Sequence, residues 1–250
     1  MNEPVDRIHR EWSGRDSGDI VVLIHGSLDR AAGMARLARA LNPSCRVLRY
    51  DRRGYARSWP HPGPFGVPEQ VDDLRGLVGD ERVILVGHSF GGNVAIAAAA
   101  SLPQGQVVGV SIFETPLSWF SWWPRDTAGG RSVSVPGEEA AEAFMRRLVG
   151  DKGWESLPER TRAQRRREGT ALQAELSWLR HNEPWRTDMI TFPLVCGRGS
   201  RGMDHHGRAM KWLAGESGGR FVEIEGAGHG APNSHPREFA ELLVRPHLTS

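Results

Sequence analysis

Short apolar, β-rich runs alternate along this chain with helical patterns, and that alternation limits its possible folds more than any other feature. The runs Ile20–Ile24, Arg46–Tyr50, Val83–Val86, Val107–Phe113, Leu194–Cys196 and Phe221–Ile224 are bounded by Gly, Asp and Pro. Runs of this length suit parallel strands buried on both faces. Helix candidates lie between and after them at Ala31–Leu41, Pro68–Val78, Gly91–Ser101, His205–Ala214 and Pro236–Val244. The alternation predicts a three-layer α/β domain, a mostly parallel central sheet flanked by helices. Arg7–Trp12 is one further strand candidate ahead of Ile20. A chain of 250 residues, 39% of them hydrophobic, can bury one substantial core.

The pattern breaks once, between Phe113 and Leu194. An aromatic and Pro-rich stretch there leads into helical segments near Glu138–Val149 and Pro158–Leu179, which predicts an inserted helical cap over 116–190. The core domain is then 1–115 together with 191–250. The insertion holds six of the nine tryptophans, Trp119, Trp122, Trp123, Trp154, Trp178 and Trp185. Trp119, Trp122, Trp123 and Trp178 are the candidates for lining an apolar substrate pocket, the others for packing. Arg165, Arg166 and Arg167 form a basic run offset by Glu159 and Glu168, expected to be a solvated helix face.

Charge and cysteine usage exclude several classes. Thirty-two Lys and Arg against 30 Asp and Glu give a net charge of +2, with no basic block that would point to nucleic acid. Cys45 and Cys196 lie far apart in apolar runs, outside any metal-ligand spacing, and are expected to be reduced core residues. Met1–Trp12 has no apolar signal-like core, and no stretch reaches the ~18 apolar residues of a membrane helix. The expected setting is cytoplasmic, with a small molecule as partner, no nucleic acid and no membrane.

The chemistry concentrates at Gly87-His88-Ser89-Phe90-Gly91-Gly92, between the run Val83–Val86 and the small-residue helix Asn93–Ala100. GxSxG in a strand–turn–helix setting is the nucleophile elbow, in which small residues permit a tight turn that exposes the serine hydroxyl at its tip. The following helix brings a positive dipole end and free amides to where an oxyanion would form. A serine hydroxyl needs a base to become nucleophilic. Gly226-Ala227-Gly228-His229-Gly230, directly after Phe221–Ile224, puts an imidazole on a flexible strand-end loop; His25, His61, His205, His206 and His235 lack that setting. Ile24-His25-Gly26-Ser27-Leu28 can aim the Ser27 amide at the oxyanion with Phe90 as second donor, and Leu28 is the alternative if the turn is one residue longer.

Taken in order, the HG turn, Asp51-Arg52-Arg53-Gly54-Tyr55-Ala56-Arg57-Ser58, GHSFGG and GAGHG resemble the α/β-hydrolase fold superfamily over essentially the whole chain. Within it the likeness is closest to the small capped serine hydrolases of bacteria. The resemblance implies Ser89 as nucleophile, His229 as base, Ser27 and Phe90 as oxyanion donors, and Asp51 and Arg53 as fold-supporting residues. It usually puts the acid after the strand preceding the histidine strand, where this sequence has Gly197-Arg198-Gly199-Ser200, with Asp204 four residues on. Some members carry the acid one strand earlier, where Glu114 ends an apolar run. A carboxylate in that setting has few uses besides pairing, so Glu114 is the preferred acid and Asp204 the alternative.

The implied activity is that of an esterase-type serine hydrolase acting on a small apolar or aromatic acyl substrate through an acyl-enzyme, with no metal or organic cofactor. The same triad also serves C–C bond hydrolysis, lactone hydrolysis and perhydrolysis. Serine at 89, where epoxide hydrolases and dehalogenases of similar fold carry Asp, disfavours an alkyl-enzyme ester. A ligand receptor that has kept the fold is the non-enzymatic alternative, and an intact Ser–His–acid set argues against it.

Overall fold

A computed structural model describes residues 7–132 and 135–248; Met1–Asp6, Val133, Ser134, Thr249 and Ser250 lie outside it. The seven strands are β1 (Arg10–Gly14), β2 (Ile20–Ile24), β3 (Arg46–Tyr50), β4 (Val83–His88), β5 (Val107–Phe113), β6 (Leu194–Gly199) and β7 (Arg220–Ile224), in spatial order β1-β3-β2-β4-β5-β6-β7. All neighbours pair in parallel except β1, which runs antiparallel to β3. The burial pattern follows position in the sheet. Central β2 is buried at every residue, whereas edge strand β1 alternates exposed and half-buried. Strand β1 begins three residues later than the Arg7–Trp12 candidate and continues to Gly14.

Helices cover both faces. They are α1 (Ala35–Leu41), α2 (Val67–Val78), α3 (Phe90–Ser101), α8 (Asp204–Ser217), and the short α9 (Ala231–Ser234) and α10 (Pro236–Phe239). A π-helical turn, Ala240–Val244, continues α10. One apolar core, including Leu85, Val94 and Leu213, fills one side of the sheet; another, including Leu37, Val86 and Leu243, fills the other. Both cysteines are free and buried.

The insertion forms α4 (Ala128–Ser132), α5 (Gly137–Glu155), α6 (Glu159–Arg167) and α7 (Gly169–His181). Sequence periodicity reads 158–179 as one helical stretch. The structure breaks it at Glu168, which is buried so that its carboxylate accepts the Ala56 amide and Arg30. The cap seats on the core through a third apolar cluster in which Leu28 and Tyr55 meet Phe144, Trp154 and Leu172. Arg165–Arg167 is not a uniformly solvated face. Arg165 turns inward to the Leu28 carbonyl and Glu168, Arg166 lies over Trp154, and Arg167 alone is exposed, over Trp59.

The chain passes from β2 to β3 on one side and later to β4 on the other, so the strand order reverses between β2 and β4. In such sheets ligands bind beyond the carboxyl ends of the strands at that reversal. Ser27 follows β2 and Ser89 follows β4.

Candidate active site

The turn after β4 is as tight as a strand reversing into a helix requires. Ser89 has φ 52° and ψ −125°, a left-handed conformation that costs of order 1–3 kcal/mol and persists only where its surroundings enforce it. A Cβ at Gly87 would lie 2.4 Å from Gly92 Cα, and one at Gly91 would lie 2.3 Å from the Ile24 carbonyl oxygen. The Ser89 amide donates to the Phe113 carbonyl at 2.9 Å, tying the elbow to β5. Phe90 opens α3 under the buried Arg52 guanidinium, whose centre lies 4.9 Å from its ring.

His229, on the loop after β7, is fixed from several directions. Its Nδ1 lies 2.7 Å from Glu114 Oε2. A carboxylate only accepts, so Nδ1 carries the proton and Nε2 keeps the basic lone pair. His88 Nε2 donates to the His229 carbonyl at 2.8 Å, and the His229 ring sits between those of His88, at 4.7 Å, and His206, at 5.1 Å. The hydrogen bonds of the described residues include none between Ser89 and His229. The two side chains share the lining of one cavity, and such bonds commonly tighten only around substrate.

Glu114 reaches this cluster from the end of β5, fully buried, with φ 47°. Oε1 accepts the Gly199 amide at 3.0 Å, while Oε2 takes both His229 and His206 Nδ1, the latter at 3.2 Å. Burial pushes this carboxyl upward, but the hydrogen bonds and charge of the two imidazoles outweigh it and hold the pKa well below the usual carboxylate range. His206 is pushed down to about 4, chiefly by burial against the opposing pull of Glu114, and His88 to about 3, by burial and then by the charge of His229.

The loop after β6, residues 200–203, carries no carboxylate. Its backbone forms the cradle for Glu114, and a Cβ at Gly202 would fall 2.0 Å from Glu114 Oε1. Asp204, the alternative acid, is exposed in the first turn of α8 with no hydrogen bond to His229, because α8 points its carboxylate outward. The next residues, His205 and His206, face the cavity. Sequence reasoning set His206 aside for lacking a strand-end glycine loop. Its signal is its place: a histidine in the first turn of the helix after the strand that commonly supplies the acid. Among the described residues, Glu114, His206 and His229 have potential metal-ligand atoms within 4.8 Å of one another, and the two Nδ1–Oε2 distances are those of ordinary hydrogen bonds.

On the other side of Ser89, the Ser27 and Phe90 amides donate no hydrogen bond among the described residues, and both residues line the cavity. Leu28, the alternative donor, has φ 52° and borders only the smaller lobe described below. Ser27 is anchored by a buried network: its Oγ donates to Glu175 Oε1 at 2.5 Å, Tyr55 OH donates to the same oxygen at 2.7 Å, and Arg52 Nη1 lies 2.6 Å from Oε2. Gln70 joins through Arg52. Asp51 and Arg53 stay outside this network. Asp51 accepts the Ala31 and Arg57 amides, and Arg53 forks onto Asp73.

The cavity under the cap has a volume of about 170 Å³, and a second lobe of about 160 Å³ meets it at Ser89 and His229. Trp123 lines the larger lobe with Phe144, Leu148 and Leu176. Trp119, Trp122 and Trp178 do not line it. Trp119 packs edge-on against Trp185, Trp122 stacks on Phe120 beneath Arg208, and Trp178 lies against the backbone at Gly66. These three rings are spent on packing, and the apolar part of the wall comes from Trp123, Phe90 and Phe144 together with Leu148, Leu176 and Met203, most of which a tryptophan count overlooks.

Sheet order, elbow, histidine loop and inserted cap together define one class, and the chain belongs to the alpha/beta hydrolase family, whose model matches residues 21–242. Among curated relatives it is 32% identical over 103 residues to the AB hydrolase superfamily protein YfhM of Bacillus subtilis, covering 39% of this chain and 36% of that one. It is 30% identical over 146 residues to Lipase LipV of Mycobacterium tuberculosis, covering 57% and 55%. The chain thus spans between about a third and just over half of the length of these two relatives. Among solved structures, a thermophilic esterase from Thermogutta terrifontis superposes with a TM-score of 0.74 at 23% identity, covering 97% of this chain and 94% of that one. The enol-lactonase from Burkholderia xenovorans LB400 gives 0.75 at 22%, covering 97% and 96%. No helix among the described residues is long and apolar enough to cross a membrane.

Proposed function

We propose that this protein is a serine hydrolase of the esterase type, acting on a small acyl substrate with an apolar body. The carrying observation is the pairing of His229 with the buried Glu114 beside a left-handed Ser89, around a cavity that two unbonded amides also border. Matches to proteins described as a lipase and an esterase support the same class.

In this scheme Ser89 Oγ attacks the acyl carbon while His229 Nε2 takes its proton, and the developing oxyanion is met by the Ser27 and Phe90 amides. Glu114 keeps the proton on Nδ1 and stabilises the imidazolium without itself becoming protonated. The imidazolium passes its proton to the leaving group. Water, deprotonated by the same nitrogen, then attacks the acyl-enzyme, releasing the acid and restoring Ser89. The Glu175 network holds the Ser27 turn in place, so the cap fixes one donor while the elbow fixes the other.

A fluorophosphonate probe is expected to label the protein at Ser89, located by peptide mass analysis, and labelling is expected to vanish in Ser89→Ala. Undiminished labelling of that variant overturns the assignment.

A further inference from the structure

Resting on the hydrolase function just proposed, a more specific substrate class follows from the cavity's charged residues. Arg147 on α5 and Arg180 on α7 line the larger lobe. Most cap arginines are matched by carboxylates: Arg146 with Glu142, Asp151 and Glu155, Arg162 with Glu155 and Glu159, Arg166 with Glu142 and Glu159, and Arg165 with Glu168. The two arginines of the larger lobe, exposed Arg147 and half-buried Arg180, have no carboxylate partner among the described residues, as is also true of Arg125, Arg160 and Arg167, which do not line it. Arg147 Nη2 donates to the Asp126 carbonyl at 3.0 Å, and Arg180 has neither hydrogen bond nor ion pair among the described residues.

One carboxylate, Asp126, also lines the lobe; its side chain pairs with Arg131 and its charge also acts on Arg147, while Arg180 is left without a counter-charge among the described residues. Arg180 sits in the last turn of α7, which accounts for a cation at a helix end but not for one turned into an apolar cavity. The rest of the wall is largely apolar, with Phe144, Leu148 and Leu176 beside these two arginines.

We infer that Arg147 and Arg180 select a substrate that carries a carboxylate at the end of an apolar chain. Guanidinium forks match carboxylates bidentately, and a pair at half-buried Arg180 is screened less than one at the surface, with exposed Arg147 adding a second fork.

The test compares matched esters, one bearing a carboxylate and the other an isopropyl group in its place. One pair is p-nitrophenyl hydrogen adipate and its isopropyl isostere. The second pair puts the difference on the alcohol side, as acetate esters of a hydroxyalkanoate and of its isostere. The wild-type protein is expected to favour the charged member by about tenfold or more in kcat/KM in at least one pair, as for a hydrogen bond to a charged group. The preference should shrink at high ionic strength, fall in Arg147→Gln and in Arg180→Gln, approach one in the double variant, and persist better in Arg180→Lys. Turnover without preference in either pair, or a preference that survives in the double variant, overturns the inference and leaves the hydrolase reading standing. If Ser89 is labelled but no ester turns over, protection of labelling by adipate is the readout. Protection that weakens in the double variant supports the inference, and absent or unchanged protection overturns it. Failure of both labelling and turnover overturns the hydrolase reading itself, and this inference with it.

Discussion

Two buried glutamates flank the Ser89 turn, and they are held in opposite ways. Glu114 comes from β5 and is satisfied by two imidazoles and one backbone amide. Glu175 comes from cap helix α7 and is satisfied by Arg52, Tyr55 and Ser27. Imidazoles exchange protons near neutral pH, whereas a guanidinium does not. The first carboxylate is therefore built to attend a charge that comes and goes, and the second to neutralise one that is permanent. Glu114 should matter chiefly to rate and Glu175 chiefly to stability.

The sharpest way to break that division is to remove the charge of Glu114. In Glu114→Gln the amide can donate to His229 Nδ1 and favour the wrong tautomer, so kcat on a p-nitrophenyl ester is expected to fall by about a thousandfold or more. Asp204→Asn should stay within about twofold of wild type, because Asp204 is exposed and makes no hydrogen bond to His229. Comparable losses in the two variants would mean that Asp204 shares the acid's work and that Glu114 is not set apart by its place beside His229.

The contrast also separates what the sequence displays from what it conceals. Apolar run length and the small residues around Ser89 are local properties, and with them the sheet, the elbow and the histidine loop could be placed from sequence. Glu114 was legible because a charge ending a buried run needs a partner. His206 was not, since its contact with Glu114 depends on how the start of α8, packed on β6, reaches the end of β5, a contact between residues 92 positions apart. Glu175 was hidden for the same reason: it is the one carboxylate of α7, and only the docking of the cap brings it to Arg52 and Ser27. Of the four tryptophans expected in the pocket, Trp123 lines it and Trp119, Trp122 and Trp178 do not, because aromatic content says that a surface is covered, not whether protein or ligand covers it.

The next largest effect is expected at Glu175. Glu175→Ala leaves the fully buried Arg52 without its counter-charge, and breaking such a pair costs about 3–5 kcal/mol, to be read by urea unfolding. Replacing both residues, as in Arg52→Met with Glu175→Leu, should recover part of that loss, because no uncompensated charge remains. A single variant within about 1 kcal/mol of wild type would show that water reaches Arg52.

The smallest effect is the most diagnostic of the imidazole side. Burial holds His206 near pKa 4 in the folded protein, against about 6.5 in an unfolded chain. Between those values the unfolded chain binds a proton that the folded one does not, so stability falls as the pH falls, by up to about 1.4 kcal/mol per pH unit for each such group. His88 and His25, also pushed down chiefly by burial, add to the same slope. Glu114 does not, since its depressed pKa contributes stability that is lost only as the pH falls through and below the carboxylate range. Urea unfolding between about pH 6.5 and 4.5 therefore reads the imidazoles against an opposing share from Asp29 and Glu168, whose carboxyls burial pushes up, and the difference between wild type and variant removes that share. His206→Gln is expected to reduce the slope by close to one proton while leaving the His88 and His25 shares in place. An unchanged slope would mean that His206 is already protonated in the folded state. In that case Glu114 would face a standing cation, as Glu175 does, and the difference between the two carboxylates would narrow to His229 alone.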